Sequence, residues 1–335
     1  MHSVLSVLAE AHYNNVVMEE DLSRLAQVAK VTRRGDLWKG SEDALIEALK
    51  AADADIMLTS WQAPKVTVQV HKAWPKLKYI SHTAGEVKHY IDREVLADGM
   101  LVTNWGTATA HSTAEGALAM TLALLRNYHN MPYWMRRDGL YWETPGPADE
   151  GLFEQRVGLH GLGAIAQEFA RLISPFKCRV SAFSPHCPDS IFEELSITRA
   201  DSLEALYGSN RIISCHAANR PDTHHIVDAR LLALVEDGGC FINTGRGAVV
   251  DEAALIAELK TGRIRAALDV FEEEPLPADH PLRFLDNCMV VPHRAGPTPD
   301  RRYTMGRHAV DNIIRYINGR ELDGVVSLRK FDLMT

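Results

Sequence analysis

The sequence predicts an α/β protein with two Rossmann-like or flavodoxin-like domains, each built on a parallel β-sheet. Two observations support this class. Short apolar runs typical of buried strands alternate with stretches of helical periodicity along the chain, which is the pattern of βαβ units. The chain of 335 residues, 46% of them hydrophobic, is also long enough to bury two cores.

The first third of the chain contains candidate strands separated by helical patterns, one of which spans Glu42–Ala51. The strands are Val4–Ala9, Ile56–Thr59, Tyr79–His82 and Leu101–Thr103. A longer helix is then predicted to begin at Ser112, which has capping-box spacing to Glu115. Because Ala117–Leu125 is apolar almost all round, we expect this helix to be buried between packed layers or domains. Residues 129–155, rich in Trp, Tyr, Pro and Gly, are predicted to form a surface connector.

A second and clearer series of strands follows the connector. Its members are Val157–His160, Arg179–Phe183, Ile212–Cys215, Cys240–Asn243, Ala266–Asp269 and Met289–Val291. A final helix is predicted over Arg301–Asn318, before Gly319. We therefore expect one domain from residues 1–106 and 298–335, with a second domain, residues 107–297, inserted into it.

Composition excludes several classes of function. The net charge of −8 provides no basic field for nucleic acid. The most apolar stretch is half the length that a membrane span needs, and the first residues lack the positive region of a signal peptide. The five cysteines form no CxxC pair, so we expect reduced thiols, a cytoplasmic location and no metal site.

A glycine-rich turn follows the first strand of the second series. Gly161 and Gly163 begin a G-x-G-x-x-A pattern that continues through Ala164 and Ile165 to Ala166 and opens an amphipathic helix. The first glycine permits a tight turn, the second permits close approach of a pyrophosphate, and the small third residue permits helix–strand packing. The free N–H groups of the helix then favour the phosphates. This strand–turn–helix context predicts a dinucleotide site.

The next strand ends at Ser184, Pro185 and His186, about twenty residues beyond the glycines, where an Asp or Glu normally binds the ribose of NAD. Neither acid is present. Ser184 and His186 could tolerate or bind a 2′-phosphate, which favours NADP, but a neutral serine could equally accept both dinucleotides. The cofactor is therefore expected to be NAD or NADP.

Four further polar side chains follow candidate strands of the second series: His216, Arg246, Glu274 and His293. Because the carboxyl ends of parallel strands share one edge of a sheet, these groups and the glycine turn are expected around one cleft. A phosphate cradle, a guanidinium, a carboxylate and an imidazole together indicate an enzyme.

The sequence resembles the D-isomer-specific 2-hydroxyacid dehydrogenase family across roughly residues 75–320. Four blocks carry the resemblance. They are Val157–Gly163, Phe241–Gly247 with Val250-Asp251-Glu252, Asp269–Pro275 and Val291–His293. The resemblance implies hydride transfer between NAD(P)H and a small 2-keto or 2-hydroxy acid, with residues 1–106 and 298–335 binding substrate and residues 107–297 binding the cofactor.

The resemblance also implies roles for individual residues. Arg246 would bind the substrate carboxylate, and His293 would protonate the carbonyl oxygen as general acid. Glu274 would hold and polarise His293, and Asp269 would hydrogen-bond the nicotinamide carboxamide. Elementary chemistry agrees with this division, since a 2-keto acid needs one permanent cation and one proton donor. A carboxylate beside the imidazole favours its protonated form and so keeps a proton available.

Other positions match the family less specifically. The backbone amides of Ala84 and Gly85, after the strand Tyr79–His82, match a loop that binds the substrate carboxylate. Cofactor contacts are assigned to Thr113, His216, Thr223 and Thr244; His216 is interpreted as a cleft-lining or hydrogen-bonding residue rather than the acid. A homodimer is expected from the resemblance, although burial between domains would equally explain the apolar helix after Ser112.

The sequence departs from the family at several points. Arg294 replaces the apolar residue that commonly follows the catalytic histidine, and Trp105-Gly106 replaces the usual Pro-Gly. Trp61 and Trp105 could shape a pocket larger than glyoxylate needs. A formate dehydrogenase is disfavoured because it would have Gln at position 274. A dinucleotide-sensing, corepressor-like binding protein with the same fold is the alternative function, since such relatives retain the same three side chains.

Overall fold

The computed structural model describes residues 1–139 and 149–334. The chain divides into two compact units, one formed by Met1–Thr109 with Pro297–Thr335 and the other by Ala110–Gly296. Each unit has its own parallel sheet and hydrophobic core, so the predicted α/β class is confirmed.

The elements are numbered along the chain. The strands are β1 His2–Ser6, β2 Ala29–Arg33, β3 Ile56–Thr59, β4 Tyr79–His82, β5 Leu101–Thr103, β6 Arg156–His160, β7 Arg179–Phe183, β8 Thr198–Arg199, β9 Ile212–Cys215, β10 Cys240–Asn243, β11 Arg265–Leu268 and β12 Cys288–Val290. The α-helices are α1 Glu19–Ala26, α2 Glu42–Ala52, α3 Val68–Ala73, α4 Arg93–Ala97, α5 Ala110–Leu125, α6 Met131–Asp138, α7 Ala164–Ile173, α8 Asp189–Glu194, α9 Leu203–Ser209, α10 Ala229–Leu232, α11 Glu252–Lys260, α12 Tyr303–Ile317 and α13 Leu328–Leu333.

The first unit is a parallel sheet in the order β2-β1-β3-β4-β5, covered on both faces. Strand β3 shows how the core is divided. Its residues Ile56 and Leu58 pack with α1 and α12, whereas Met57 packs with α2 and α3 on the other face. A strand that is buried on both faces must be apolar throughout, which is why its sequence is a continuous apolar run.

The second unit is a larger parallel sheet in the order β12-β11-β10-β9-β6-β7-β8. The chain runs outward from β6 to β8, then returns to place β9 on the other side of β6. This reversal of strand order is the position at which doubly wound sheets bind ligands, in the crevice beyond the carboxyl ends of the strands.

Several predicted boundaries were wrong. Strand β1 ends at Ser6 rather than Ala9. The apolar run continues through Val7 and Leu8, which are buried in the loop after the strand, so the run was longer than the strand itself. Helix α5 begins at Ala110, so Ser112 lies inside the helix and does not cap it. Part of the predicted surface connector is helix α6, and residues 140–148 of that segment lie outside the described residues. Strands β2 and β8 were not predicted.

The apolar character of α5 is explained within the second unit. Its buried residues, including Ala114, Ala117 and Leu124, pack against α7 and the strands β10 and β11. At Gly116 the helix comes so close to the backbone of Ala295 that a Cβ would lie 2.4 Å from the Ala295 carbonyl oxygen. Across the part of the chain that is described, neither α5 nor another helix has the length and apolarity needed to span a bilayer.

Two helical glycines provide a matched test of the packing. A Cβ at Gly306, in α12, would lie 1.9 Å from the carbonyl oxygen of Val16, whereas at Gly208, in α9, it would meet no described atom within 4 Å. We expect Gly306→Ala to lower the free energy of unfolding by about 1–3 kcal/mol through overpacking. Gly208→Ala should leave it unchanged or raise it by up to about 1 kcal/mol, because alanine favours helix. Denaturant unfolding measures both, and equal stability of the two variants would contradict this packing of α12.

Candidate active site

The loops that follow neighbouring strands of the second sheet touch one another at its carboxyl edge. Gly161 has a φ of +95°, and a Cβ there would lie 3.2 Å from the carbonyl carbon of His216. A Cβ at Gly247 would lie 1.9 Å from the carbonyl carbon of Phe271. The loops after β6 and β9, and those after β10 and β11, therefore approach at backbone distance, and this brings the predicted polar groups of the second unit to one edge.

The glycine turn has the form that a pyrophosphate requires. Gly161 occupies a left-handed conformation that few other residues adopt, which makes the turn tight. Gly163 is the N-cap of α7 and has no side chain to cap the helix. A Cβ placed there would meet no described atom within 4 Å, so the space in front of the helix is open. Ala166 is fully buried against the sheet. The N–H groups at the start of α7, from Ala164 and Ile165, lack intrahelical partners and so fit an anionic ligand.

Arg199, which sequence reasoning missed, lies beside Ser184 in the loop after β7. Its guanidinium donates to the carbonyl oxygens of Ser184 at 3.0 Å and Cys187 at 2.8 Å, and pairs with Asp189 at 2.6 Å. Ser184 is half-buried and His186 is exposed. The loop after β7 therefore has an arginine close to Ser184. Because Arg199 comes from the neighbouring strand β8, which was not predicted, no local pattern revealed it.

The buried His160 and the half-buried His216 stand at the point where the strand order reverses. Burial lowers the pKa of His160 to about 4, and burial with the charge of His160 lowers that of His216 to about 4. Both imidazoles are therefore neutral at pH 7. His160 contacts the hydroxyl of Tyr207 at 3.2 Å, and His216 contacts that of Ser214 at 2.8 Å. His216 is thus a hydrogen-bonding residue at the edge of the sheet.

The two predicted cofactor threonines that follow β9 and β10 differ in their contacts. The hydroxyl of Thr223 donates to the Ala218 carbonyl at 2.6 Å and accepts from the Arg220 N–H at 2.8 Å, which closes its own loop. The hydroxyl of Thr244 is buried without a hydrogen-bond partner among the described residues. Thr244 therefore retains hydrogen-bonding capacity that Thr223 has already used. Searching the described residues for three or more clustered His, Cys, Asp or Glu side chains that could hold a metal ion finds none.

His293 and Glu274 form a directly hydrogen-bonded pair. The Nδ1 atom of His293 lies 2.6 Å from Oε2 of Glu274, and the other carboxylate oxygen accepts the N–H of Phe271 at 3.0 Å. His293 has a φ of +50° and a side chain that is 54% exposed. With Nδ1 directed to the carboxylate, Nε2 is the ring nitrogen that can exchange a proton with another molecule.

Arg246 is held by the loop after β10. Asn243, fully buried at the end of that strand, donates through Nδ2 to the Arg246 carbonyl at 3.1 Å and accepts the Gly245 N–H at 3.0 Å. The guanidinium itself donates to the Gly245 carbonyl at 2.7 Å. Sequence reasoning missed Asn243. A buried amide directly before a Gly-Arg-Gly turn was the available signal.

Asp269 holds the segment that follows His293. It is 2% exposed, and its two carboxylate oxygens accept the N–H groups of Arg294 at 2.6 Å and Ala295 at 2.9 Å. Burial raises the pKa of Asp269, and these two hydrogen bonds oppose that shift. The His293 N–H also donates to the Asp269 carbonyl at 2.9 Å. This structural contact was not predicted, and the predicted contact with a nicotinamide carboxamide stays a prediction.

In the first unit, the predicted carboxylate loop follows β4. The N–H groups of Ala84 and Gly85 form no hydrogen bond among the described residues. The Ala84 carbonyl accepts the backbone N–H of Trp105, and the Gly85 carbonyl accepts the side-chain amide of Asn104. This arrangement keeps the two donors available to an anion. Of the remaining predicted positions, Thr113 is buried in α5, and Arg294 is exposed beside the His293–Glu274 pair.

The second unit is thus a doubly wound sheet with a dinucleotide-type turn, and comparison with known proteins identifies its family. A family model described as the NAD binding domain of D-isomer specific 2-hydroxyacid dehydrogenases matches residues 118–295. The hydroxypyruvate reductase of Thermotoga maritima is 30% identical over 278 residues, which cover 82% of this chain and 88% of that protein. The chain belongs to the D-isomer specific 2-hydroxyacid dehydrogenase family.

A longer relative and a solved structure are also similar to this chain. The D-3-phosphoglycerate dehydrogenase of Methanocaldococcus jannaschii is 31% identical over 312 residues, which cover 92% of this chain but 58% of that protein. The chain therefore spans little more than half the length of that relative. The crystal structure of an NADPH-dependent glyoxylate/hydroxypyruvate reductase from Sinorhizobium meliloti is 25% identical with a TM-score of 0.76, covering 98% of this chain and 99% of that one.

The hydrogen bonds between the Asp269 carboxylate and the segment after His293 can be tested by Asp269→Asn. The amide would present an N–H group to a backbone N–H, leaving a buried donor unpaired, so we expect a loss of about 1–3 kcal/mol of folding free energy. Differential scanning calorimetry measures the loss. Asp286→Asn, on an exposed loop of the same unit, is the control and should leave the melting temperature unchanged. Equal melting temperatures for the two variants would refute the structural role of Asp269.

Proposed function

We propose that this chain is an NAD(P)-dependent oxidoreductase that interconverts a small 2-keto acid and the corresponding D-2-hydroxy acid. The observation that carries the proposal is the His293–Glu274 pair, joined at 2.6 Å at the edge of a doubly wound sheet with a dinucleotide-type turn. We assign dinucleotide binding to the second unit and substrate binding to the first. The homodimer expected from the family resemblance stays a proposal.

In this proposal Arg246 neutralises the substrate carboxylate. A guanidinium is permanently charged and cannot be the proton donor, so it binds the anion while another group handles the proton. Asn243 supports this role because it fixes the backbone on both sides of the Gly245–Arg246 peptide. For the first unit, we keep the backbone N–H groups of Ala84 and Gly85 as proposed carboxylate donors.

His293 carries the proton. For reduction, its Nε2 donates a proton to the carbonyl oxygen as that oxygen becomes a hydroxyl; for oxidation, the neutral imidazole takes the proton back. Glu274 stabilises the protonated ring through Nδ1 and keeps it oriented, and the Phe271 N–H holds Glu274 in turn. The dinucleotide, when bound, supplies or accepts the hydride.

The residues that would hold the dinucleotide are those of the glycine turn, Gly161, Gly163, Ala164 and Ile165, together with cofactor contacts at Thr113, His216, Thr223, Thr244 and Asp269. Beside the ribose, Ser184 and His186 provide no carboxylate, and Arg199 places a cation next to them. An arginine at this position accommodates a 2′-phosphate. The Arg199–Asp189 pair opposes this only weakly, since Asp189 is 84% exposed. We therefore favour NADP over NAD.

The proposed activity is tested by oxidation of NADPH and of NADH with glyoxylate, hydroxypyruvate and phenylpyruvate. We expect turnover with NADPH preferred, and Arg246→Ala should raise KM strongly because the carboxylate loses its charge partner. Arg230→Ala, an exposed arginine of the same unit, is the control. Absence of turnover with all three acids would favour a dinucleotide-sensing binding protein, and an unchanged KM in Arg246→Ala would reject the role of Arg246.

The coupling between Glu274 and His293 predicts a change in pH dependence. Removing the carboxylate disfavours the protonated imidazole, so in Glu274→Gln the fall of reduction rate with rising pH should begin at lower pH. The rate itself should fall by about 10²-fold or more, the lower range for positioned acid catalysis. Glu273→Gln, an exposed neighbour, should reproduce the wild-type profile. Superimposable profiles for the two variants would show that Glu274 does not act on the acid.

A further inference from the structure

The carboxyl edge of the first sheet has an aromatic surface that the proposed chemistry does not use. His12 follows β1, Trp61 follows β3 and Trp105 follows β5, and these strands flank β4 in the order β1-β3-β4-β5. Gly85 follows β4 and belongs to the proposed carboxylate loop. The three rings and this loop therefore lie on neighbouring strand ends of one sheet.

The rings form a continuous wall. The centroids of Trp61 and Trp105 are 6.5 Å apart with an interplanar angle of 79°, and those of His12 and Trp61 are 5.9 Å apart at 63°. Both contacts are edge-to-face, the arrangement that aromatic rings prefer. All three side chains are half-buried, so each leaves part of its surface uncovered.

The wall begins at the proposed carboxylate donors. A Cβ at Gly85 would lie 2.5 Å from two carbon atoms of the Trp105 indole, so the ring packs directly against the glycine. The backbone N–H of Trp105 donates to the Ala84 carbonyl at 3.1 Å, which joins the loop after β5 to the loop after β4. An acid bound by the N–H groups of Ala84 and Gly85 would therefore have an indole surface beside its remaining atoms.

The wall carries no charge. Burial lowers the pKa of His12, and the positive charge of Arg302 lowers it further, so the imidazole is neutral at pH 7. Clustered, half-exposed aromatic side chains leave apolar surface in water, and such patches on soluble proteins mark binding sites. The hydrogen of glyoxylate or the hydroxymethyl group of hydroxypyruvate is too small to cover two indoles.

We propose that His12, Trp61 and Trp105 bind a large, flat, apolar substituent on C3 of the substrate, which makes aryl-substituted 2-keto acids the preferred substrates. The inference rests on the proposed function and names its substrate class. Trp61 is the specificity residue in this view, since Trp105 also supports the loop at Gly85.

The test compares phenylpyruvate with glyoxylate in the wild type, Trp61→Ala and Trp61→Phe, with NADPH and NADH. We expect the wild type to prefer phenylpyruvate. Trp61→Ala should lower kcat/KM for phenylpyruvate about 10-fold, mainly through KM, and change that for glyoxylate less than about twofold. Trp61→Phe should recover most of the loss. Trp38→Ala, at a tryptophan that is 44% exposed and outside the wall, should alter neither substrate.

Calorimetric binding of 3-phenylpropanoate, which has no carbonyl to reduce, separates this inference from the proposed activity. The wild type should bind it more tightly than acetate, and Trp61→Ala should weaken it about 10-fold with acetate unchanged. A wild type that prefers glyoxylate, equal losses for both acids in Trp61→Ala, or no binding of 3-phenylpropanoate would each overturn the aromatic wall as a specificity site. Absence of turnover with intact, Trp61-dependent binding would instead reject the proposed reaction and leave the wall standing.

Discussion

Close backbone contact between consecutive loops is the constraint on which the candidate site depends. Gly247 can sit against Phe271 because it has no side chain, and Gly161 can sit against His216 because it also accepts a positive φ. Without these approaches, the loops after β10 and β11 would separate by the width of a side chain. Arg246 and Glu274 belong to those loops, so their relative position is determined by backbone packing before any charge interaction is considered.

Backbone groups take part in holding each of the three candidate catalytic residues of the second unit. Asn243 holds the backbone around Arg246, the Phe271 N–H holds Glu274, and the backbone around His293 is tied to Asp269. Such supports fix the backbone from which the side chains of Arg246 and His293 extend. A site built in this way is arranged before a ligand arrives, which is the main source of electrostatic stabilisation in enzymes.

The sequence predicted those parts of the fold that burial dictates. Strands such as Ile212–Cys215 and Ile56–Thr59 are buried on both faces, so their apolar runs coincide with the observed bounds. Strand β2 was missed because it lies at the sheet edge and carries exposed Lys30 and Arg33, which give no apolar run. An edge strand of this kind is specified by its neighbour rather than by its own composition.

The candidate site was predictable to a similar degree. The pairing of His293 with Glu274 was expected from family spacing, and the structure places these side chains in contact. The contacts of Arg199 with Ser184 and of Asp269 with the segment after His293 could not be predicted from the sequence. The first depends on which strand lies beside β7, and the second depends on the turn that begins at His293. Contacts of this kind require the register of the sheet, which the local pattern of residues does not contain.

The packing of Trp105 on Gly85 has an evolutionary consequence. The indole fills the volume that any side chain at position 85 would need, so these two positions can change only in concert. Trp61 comes from a different loop, and the atoms nearest to the Cβ position of residue 85 belong to Trp105. Descendants of this chain could therefore acquire a different aromatic surface through single changes at position 61, while the packing of residue 105 on residue 85 stays as it is.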